Sequence, residues 1–259
     1  MCLIIIANDL KSLSFKDLET AYNRNSDGLG VMYLDKKNNF IQDKFVPKDF
    51  TQVKNFINLH KDKTDKMAIH FRFTTQGETN KKNCHPFISY QKNNRTIGMM
   101  HNGARLPIPL IHMKCSDTWH FNQHYLKPVL NDNPNVLLNS VYQKQLGNHI
   151  DDDKMVFLDS QTSKFIIINE ELGNYKGANW YSNTYWQNTF TTSLSKPYSS
   201  FGHLGSISND YDFEWEQPTK IEDLETDEEV YDFVDNCIDN GNLYPIYNAL
   251  AEYRKKIAS

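Results

Sequence analysis

Four cysteines in 259 residues are too few and too scattered to staple this chain. Cys2, Cys84, Cys115 and Cys237 fall at no metal-binding spacing, and in a reducing compartment they are expected to stay thiols. Long apolar runs are missing too. Nothing approaches the ~20 residues needed to cross a bilayer, and the short stretch Leu3–Ala7 lacks the basic leader and the length of a secretory signal. A formal charge of −4 and a pI near 6.1 leave no electrostatic footprint for nucleic acid or an anionic membrane. No internal repeat and no glycine-rich phosphate loop is present. These absences predict a cytoplasmic protein with no direct nucleic-acid or membrane contact, no metal and no cofactor.

What the chain does contain is a succession of short periodic segments. Leu3–Ala7 is an apolar run dominated by isoleucine and reads as a buried strand. Ser14 caps a helix over Phe15–Tyr22. Gly28–Leu34 reads as a strand, separated from Phe40-Ile41 by the turn-forming Asp35–Asn39. A helix is expected from about Lys48 to Leu59, with Phe50, Val53, Phe56 and Ile57 on one stripe. Met67–Ile69 and Thr96–Met100 read as core strands. Thr118–Leu130 and Asn135–Leu146 read as helices, and Met155–Asp159 with Phe165–Asn169 as a hairpin. The order is that of an α+β protein. The core domain is expected to span residues 2–190. Residues 191–222, rich in Ser, Asn, Tyr and Asp, read as a polar linker or loop, and 223–259 as a small helical extension with two amphipathic stretches.

The most informative position is the second. If the start methionine is trimmed, Cys2 carries a thiol and an α-amine on one residue. The amine titrates near ~7.7–8.0 and the thiol near ~8.5, so nucleophile and base come together. The plainer reading is a small hydrophobe opening a buried strand. Three segments downstream decide between them: His70-Phe71-Arg72-Phe73-Thr74-Thr75-Gln76-Gly77, Met100-His101-Asn102-Gly103 and Ser116-Asp117-Thr118. With Cys2 and in this order, they resemble the class II glutamine amidotransferases, cysteine members of the N-terminal-nucleophile hydrolases.

That resemblance implies a four-layer αββα sandwich and hydrolysis of the L-glutamine side-chain amide through a Cys2 thioester. A separate synthase subunit would accept the ammonia. It assigns the oxyanion to Asn102 and Gly103, the substrate carboxylate to Arg72 and the substrate ammonium to Asp117. Thr75, Gln76 and Gly77 would line the glutamine pocket, although many family members have His where Gln76 stands. Arg24, Asp27 and His85 would support the site from behind, with His101 a packing residue. Residue by residue, plainer readings stay open: Asn-Gly is a hairpin turn signal, and Asp117 is placed to cap a helix. Asp151-Asp152-Asp153 lacks calcium-loop spacing and reads as a solvated turn. Trp180–Asn183 suits a pocket wall, a core or an interface. Two other functions compete with the leading one. The first is a stand-alone amidohydrolase acting on another amide or a γ-glutamyl substrate. The second is a non-catalytic binding protein on the same fold.

Overall fold

The computed structural model describes residues 2–184, 186 and 187. In chain order its elements are β1 (Leu3–Ala7), α1 (Phe15–Arg24), β2 (Gly28–Leu34), β3 (Phe40–Phe45), α2 (Phe50–Lys61), β4 (Met67–Arg72), β5 (Phe87–Lys92) and β6 (Arg95–Asn102). They continue with α3 (Asp117–Phe121), α4 (Lys127–Asp132), α5 (Ser140–His149), β7 (Lys154–Asp159), β8 (Lys164–Ile168), β9 (Asn174–Lys176) and β10 (Asn179–Tyr181). The expected linker and helical extension lie outside the described residues. Among those described, no helix is long and apolar enough to cross a membrane.

The strands form two antiparallel sheets, one ordered β3-β2-β4-β1-β10-β9 and the other β5-β6-β7-β8. Side-chain alternation along each strand then sorts the apolar residues into three cores. Leu3 and Ile5 point one way and pack with Leu18 of α1 and Val53 and Ile57 of α2. Ile4 and Ile6 point the other way and meet Met100, Val156 and Leu158 of the second sheet. The far face of that sheet, with Ile97, Met99, Met155 and Phe157, packs on Phe121, Leu130 and Leu146 of the remaining helices. Helix, sheet, sheet, helix are therefore the four layers. β1 is buried at all five positions because both of its faces are covered, which is why it reads as a continuous run rather than as an alternation.

Local chemistry explains the helix boundaries. Ser14 Oγ accepts from Asp17 N–H and Asp49 Oδ1 from Gln52 N–H, each satisfying an amide that the first turn leaves open. α2 accordingly starts after Asp49, later than expected from periodicity. The expected helix over 118–130 is one rod from Asp117 to Asp132 with a π-helical turn at Asn122–Leu126. Pro128 follows that turn. It has no N–H to give the ordinary acceptor four residues back, and widening the turn relieves the clash of its ring. β5 and the β9–β10 pair were not anticipated. β5 carries Ser89 and Gln91 among its apolar residues, and the last two strands have three residues each.

The space between the sheets is unusually polar at one end. The segment Cys84–Pro86 runs so close to β2 that a Cβ on Gly30 would lie 1.8 Å from the His85 carbonyl oxygen, and one on Gly28 2.4 Å from Cys84 Sγ. Lys44 Nζ donates to the Cys84 and Pro86 carbonyls at 2.6 and 2.9 Å, and burial lowers its pKa to about 8. His70 Nε2 donates to the His101 carbonyl at 3.0 Å. His85 Nδ1 accepts from the His101 amide at 3.2 Å, with the His70 and His85 rings 4.0 Å apart. Burial pushes the His70 pKa down to about 3 and that of His85 well below the ordinary histidine range.

Two outcomes follow from this interior. Gly30→Ala should destabilise the fold by about 1–3 kcal/mol, the usual cost of overpacking, because the atom in the way is backbone; a parental urea midpoint would contradict the contact. The neutral histidines make stability depend on pH with a definite sign. Above the unfolded value of ~6.5 neither state binds the protons and nothing is lost. As pH falls from there towards the folded value, about 3 for His70, the unfolded chain takes up protons that the fold refuses. Each histidine then costs about 1 kcal/mol over the first pH unit and about 1.4 per unit below it, so the pair should cost about 2 kcal/mol between about pH 6.5 and about pH 5.5. Urea titrations that give the same stability at those two pH values would refute this.

Candidate active site

Register brings the distant segments together. In the β1–β4 pairing Leu3 faces Phe71, so Cys2, one residue before β1, stands beside Arg72 and Phe73 where β4 ends. β6 ends at the same edge with Asn102. The Phe73 N–H points at Cys2 Sγ at 3.3 Å, and the thiol lies 3.5 Å from the Phe73 carbonyl oxygen. The Cys2 carbonyl accepts from the side-chain amide of Asn102 and from that of Asn183 at 2.7 Å. Three peptide or amide groups thus fix the orientation of Cys2. Burial of the sulfur pushes the thiol pKa up; the Phe73 N–H and the Arg72 cation oppose this without cancelling it. The resting group is a neutral thiol that needs a base to react.

Of the residues expected in the site, Cys2, Arg72, Thr75, Gln76, His85, His101, Gly103 and Asp117 line one pocket. Its free volume is about 20 Å³, room for roughly one water. Arg72 is 4% exposed, and its guanidinium donates to the carbonyls of Gln76 and Glu78 at 3.0 and 3.1 Å, folding the segment after β4 back over the site. Gln76 Oε1 is buried without a hydrogen-bond partner among the described residues. Asp27 Oδ2 accepts from the Thr74 N–H at 2.7 Å and pins the start of that segment. Gly77 turns its end at φ +74°, where a Cβ would sit 2.7 Å from the Ser116 nitrogen, so only glycine suits the turn. Arg24 closes α1 at the surface and is not part of the pocket lining.

Several local readings change. Asp117 is not the cap of α3. Ser116 is, its Oγ accepting from Trp119 N–H at 3.1 Å. Asp117 is 5% exposed and its two oxygens accept from Leu106 N–H at 2.9 Å and Thr118 N–H at 2.7 Å, which holds the 103–116 loop against the pocket. Asp153 does not belong to a solvated turn. It accepts from His101 Nε2 and from the Ala104 N–H, each at 3.0 Å. The same carboxylate occupies the space beside Gly103, where a Cβ would lie 1.8–2.0 Å from its atoms. His101 is therefore hydrogen-bonded at both ring nitrogens, the other being 3.0 Å from Thr118 Oγ1. Asn183 and Asp153 are the residues that sequence reasoning missed. Asn183 follows a strand three residues long, and Asp153 sits in an acidic triplet with no ligand spacing. Neither carries a local signal of its contact.

Residues 3–114 match the family model for class II glutamine amidotransferases. That span holds Arg72, Asn102 and Gly103, with Cys2 and Asp117 just beyond its two ends. Among solved structures, the chain is similar to the glutamine phosphoribosylpyrophosphate amidotransferase from B. subtilis complexed with ADP and GMP, at 18% identity and a TM-score of 0.39. It is similar also to one described as the allosteric regulatory enzyme of purine biosynthesis, at 16% identity and a TM-score of 0.41. Each likeness covers 70% of this chain and 41% of the other, so the chain spans about two fifths of the length of these structures. No curated protein matches it in sequence. Likenesses of this size leave the reading of the pocket to its own residues. Over residues 3–114, less than half of its length, the chain is similar to the class II glutamine amidotransferases.

Proposed function

We propose that the protein hydrolyses the side-chain amide of L-glutamine and that the ammonia passes to a separate acceptor enzyme. The observation that carries this reading is the convergence on one pocket of Cys2, Arg72, Gly103 and Asp117, four residues from segments far apart in the chain. With the start methionine removed, the Cys2 α-amine takes the thiol proton, which the buried sulfur does not release by itself. The sulfur then attacks the amide carbon of glutamine. The amide nitrogen leaves with a proton as ammonia, and water cleaves the thioester to glutamate and restores the thiol.

The surrounding groups suit an amino-acid substrate. Two of the five Arg72 N–H donors hold loop carbonyls, leaving part of the fork for a carboxylate. Asp117 supplies a negative charge for the ammonium. An amide lacking an amino-acid head would leave this buried cation and anion without substrate partners, which disfavours such a substrate. The Asn102 amide has two N–H donors and spends one on the Cys2 carbonyl, which Asn183 also holds. The second, with the Gly103 N–H, is assigned to the oxyanion. A pocket with room for one water admits glutamine only when the segment after β4 or the 103–116 loop moves outward.

Cys2→Ala should remove glutaminase activity while leaving the melting temperature near that of the parent. A diazo-ketone analogue of glutamine should add its mass to Cys2 and spare the buried Cys84 and Cys115; modification of either instead would reject the nucleophile assignment. In steady-state kinetics Arg72→Ala should chiefly raise KM, because carboxylate binding is made in ground and transition states alike. Asn102→Ala should chiefly lower kcat, by about 100-fold. The reverse pattern would show that positioning and catalysis have been exchanged.

A further inference from the structure

The acidic turn before β7 reaches the site from behind. Asp153 touches the residues on both sides of Asn102-Gly103: its Oδ2 accepts from His101 Nε2, its Oδ1 accepts from Ala104 N–H, and its carboxylate lies against Gly103. Its own main chain is held as well, since Asn169 Nδ2 donates to the carbonyls of Asp151 and Asp153 at 2.7 and 2.9 Å. Its side chain is 13% exposed. We propose that Asp153 is a positioning residue that fixes the Asn102-Gly103 turn, by holding the Ala104 amide and by choosing the tautomer of His101. The catalytic consequence rests on the reading of that turn as the oxyanion-binding pair.

Proton accounting shows how the choice is made. A carboxylate only accepts, so His101 Nε2 carries a proton towards Asp153. In the neutral ring Nδ1 is then an acceptor, and its neighbour is Thr118 Oγ1 at 3.0 Å. The Thr118 hydroxyl has one proton and a second acceptor, Asp117 Oδ1, at 3.3 Å. That one proton serves both acceptors in turn. Asp153, His101 and Thr118 thus form a linked chain ending at the pocket wall beside Asp117, and the backbone between His101 and Ala104 is held at both ends. With an amide in place of the carboxylate, Oδ1 still accepts from Ala104, but the NH2 group donates to Nε2. The ring proton moves to Nδ1, which leaves Asp117 as the acceptor of the Thr118 hydroxyl, the same logic by which an orienting carboxylate sets a catalytic histidine.

The test uses Asp153→Asn, which is isosteric and should fold, beside Asp153→Ala. Histidine NMR on isotope-labelled protein should find His101 protonated at Nε2 in the parent and at Nδ1 in Asp153→Asn. Both variants should lose about 100-fold in kcat for glutamine with KM little changed, the scale of a displaced oxyanion donor. Alkylation of Cys2 by iodoacetamide should keep its parental rate, which a general loss of structure would not allow. An unchanged His101 tautomer in Asp153→Asn, or parental kcat in both variants, would overturn the proposal. If the parent itself fails to hydrolyse glutamine, the oxyanion reading falls, and the tautomer comparison still decides whether Asp153 sets His101.

Discussion

The pairing of β1 with β4, Leu3 opposite Phe71, is the constraint on which the site depends. It places Cys2 beside the end of β4, where the Phe73 amide meets the sulfur and Arg72 turns back over the pocket. Because side chains alternate with a period of two, a slip of one residue would send Ile4 and Ile6 to the helix side and Leu3 and Ile5 between the sheets. The cores on the two faces of β1 are both fully apolar, so β1 alone would tolerate that slip. The partner strands would not. In β4 the apolar Met67, Ile69 and Phe71 face the helices, while His70 faces the second sheet.

The polar end of the sheet-to-sheet interface is the cost of building the site there. His70, His85 and His101 lie within the sandwich, with Lys44 at its edge, and burial disfavours the charged forms of His70, His85 and Lys44. Hydrogen bonds to main chain offset much of this: Lys44 holds two carbonyls, His70 holds one and His85 accepts an amide. The two glycines of β2 let the Cys84–Pro86 segment approach closely enough to make these contacts. Apolar packing elsewhere in the same interface, from Ile4 and Ile6 to Leu158 and Trp180, keeps the two sheets together while this end remains polar.

Two clamps shape the pocket from opposite sides. Arg72 and Asp27 fasten the segment after β4. Asp153 and Asp117 fasten the chain just after Gly103, at the Ala104 and Leu106 amides. Both clamps consist of charged groups bonded to backbone amides or carbonyls. Such bonds are stronger than neutral ones and hold main chain in place where a loop would otherwise be free to move. The pocket is correspondingly small, and a ligand larger than a water enters only as one of these bonds is released.

The sequence by itself determined the αββα class through its family resemblance and, through local chemistry, most of the strands and helices. Leu3–Ala7, Gly28–Leu34, the helix capped by Ser14, the helix with Phe50, Val53, Phe56 and Ile57 on one stripe, and the hairpin around Ser160–Lys164 announce themselves by runs, periods and a cap that act within a few residues. The family resemblance also marked the residues that line the pocket, since their order along the chain is the signal. Only the tertiary structure decided which of them touch and what else joins them. Asn183 reaches the Cys2 carbonyl because β10 is laid beside β1, a pairing of residues about 175 apart that a three-residue strand cannot advertise. Asp153 became a clamp instead of a solvated carboxylate because β7 pairs with β6 in the register that sets Met155 against His101. Long-range pairing of this kind places side chains by the geometry of the whole sheet, and nothing in the neighbouring residues records it.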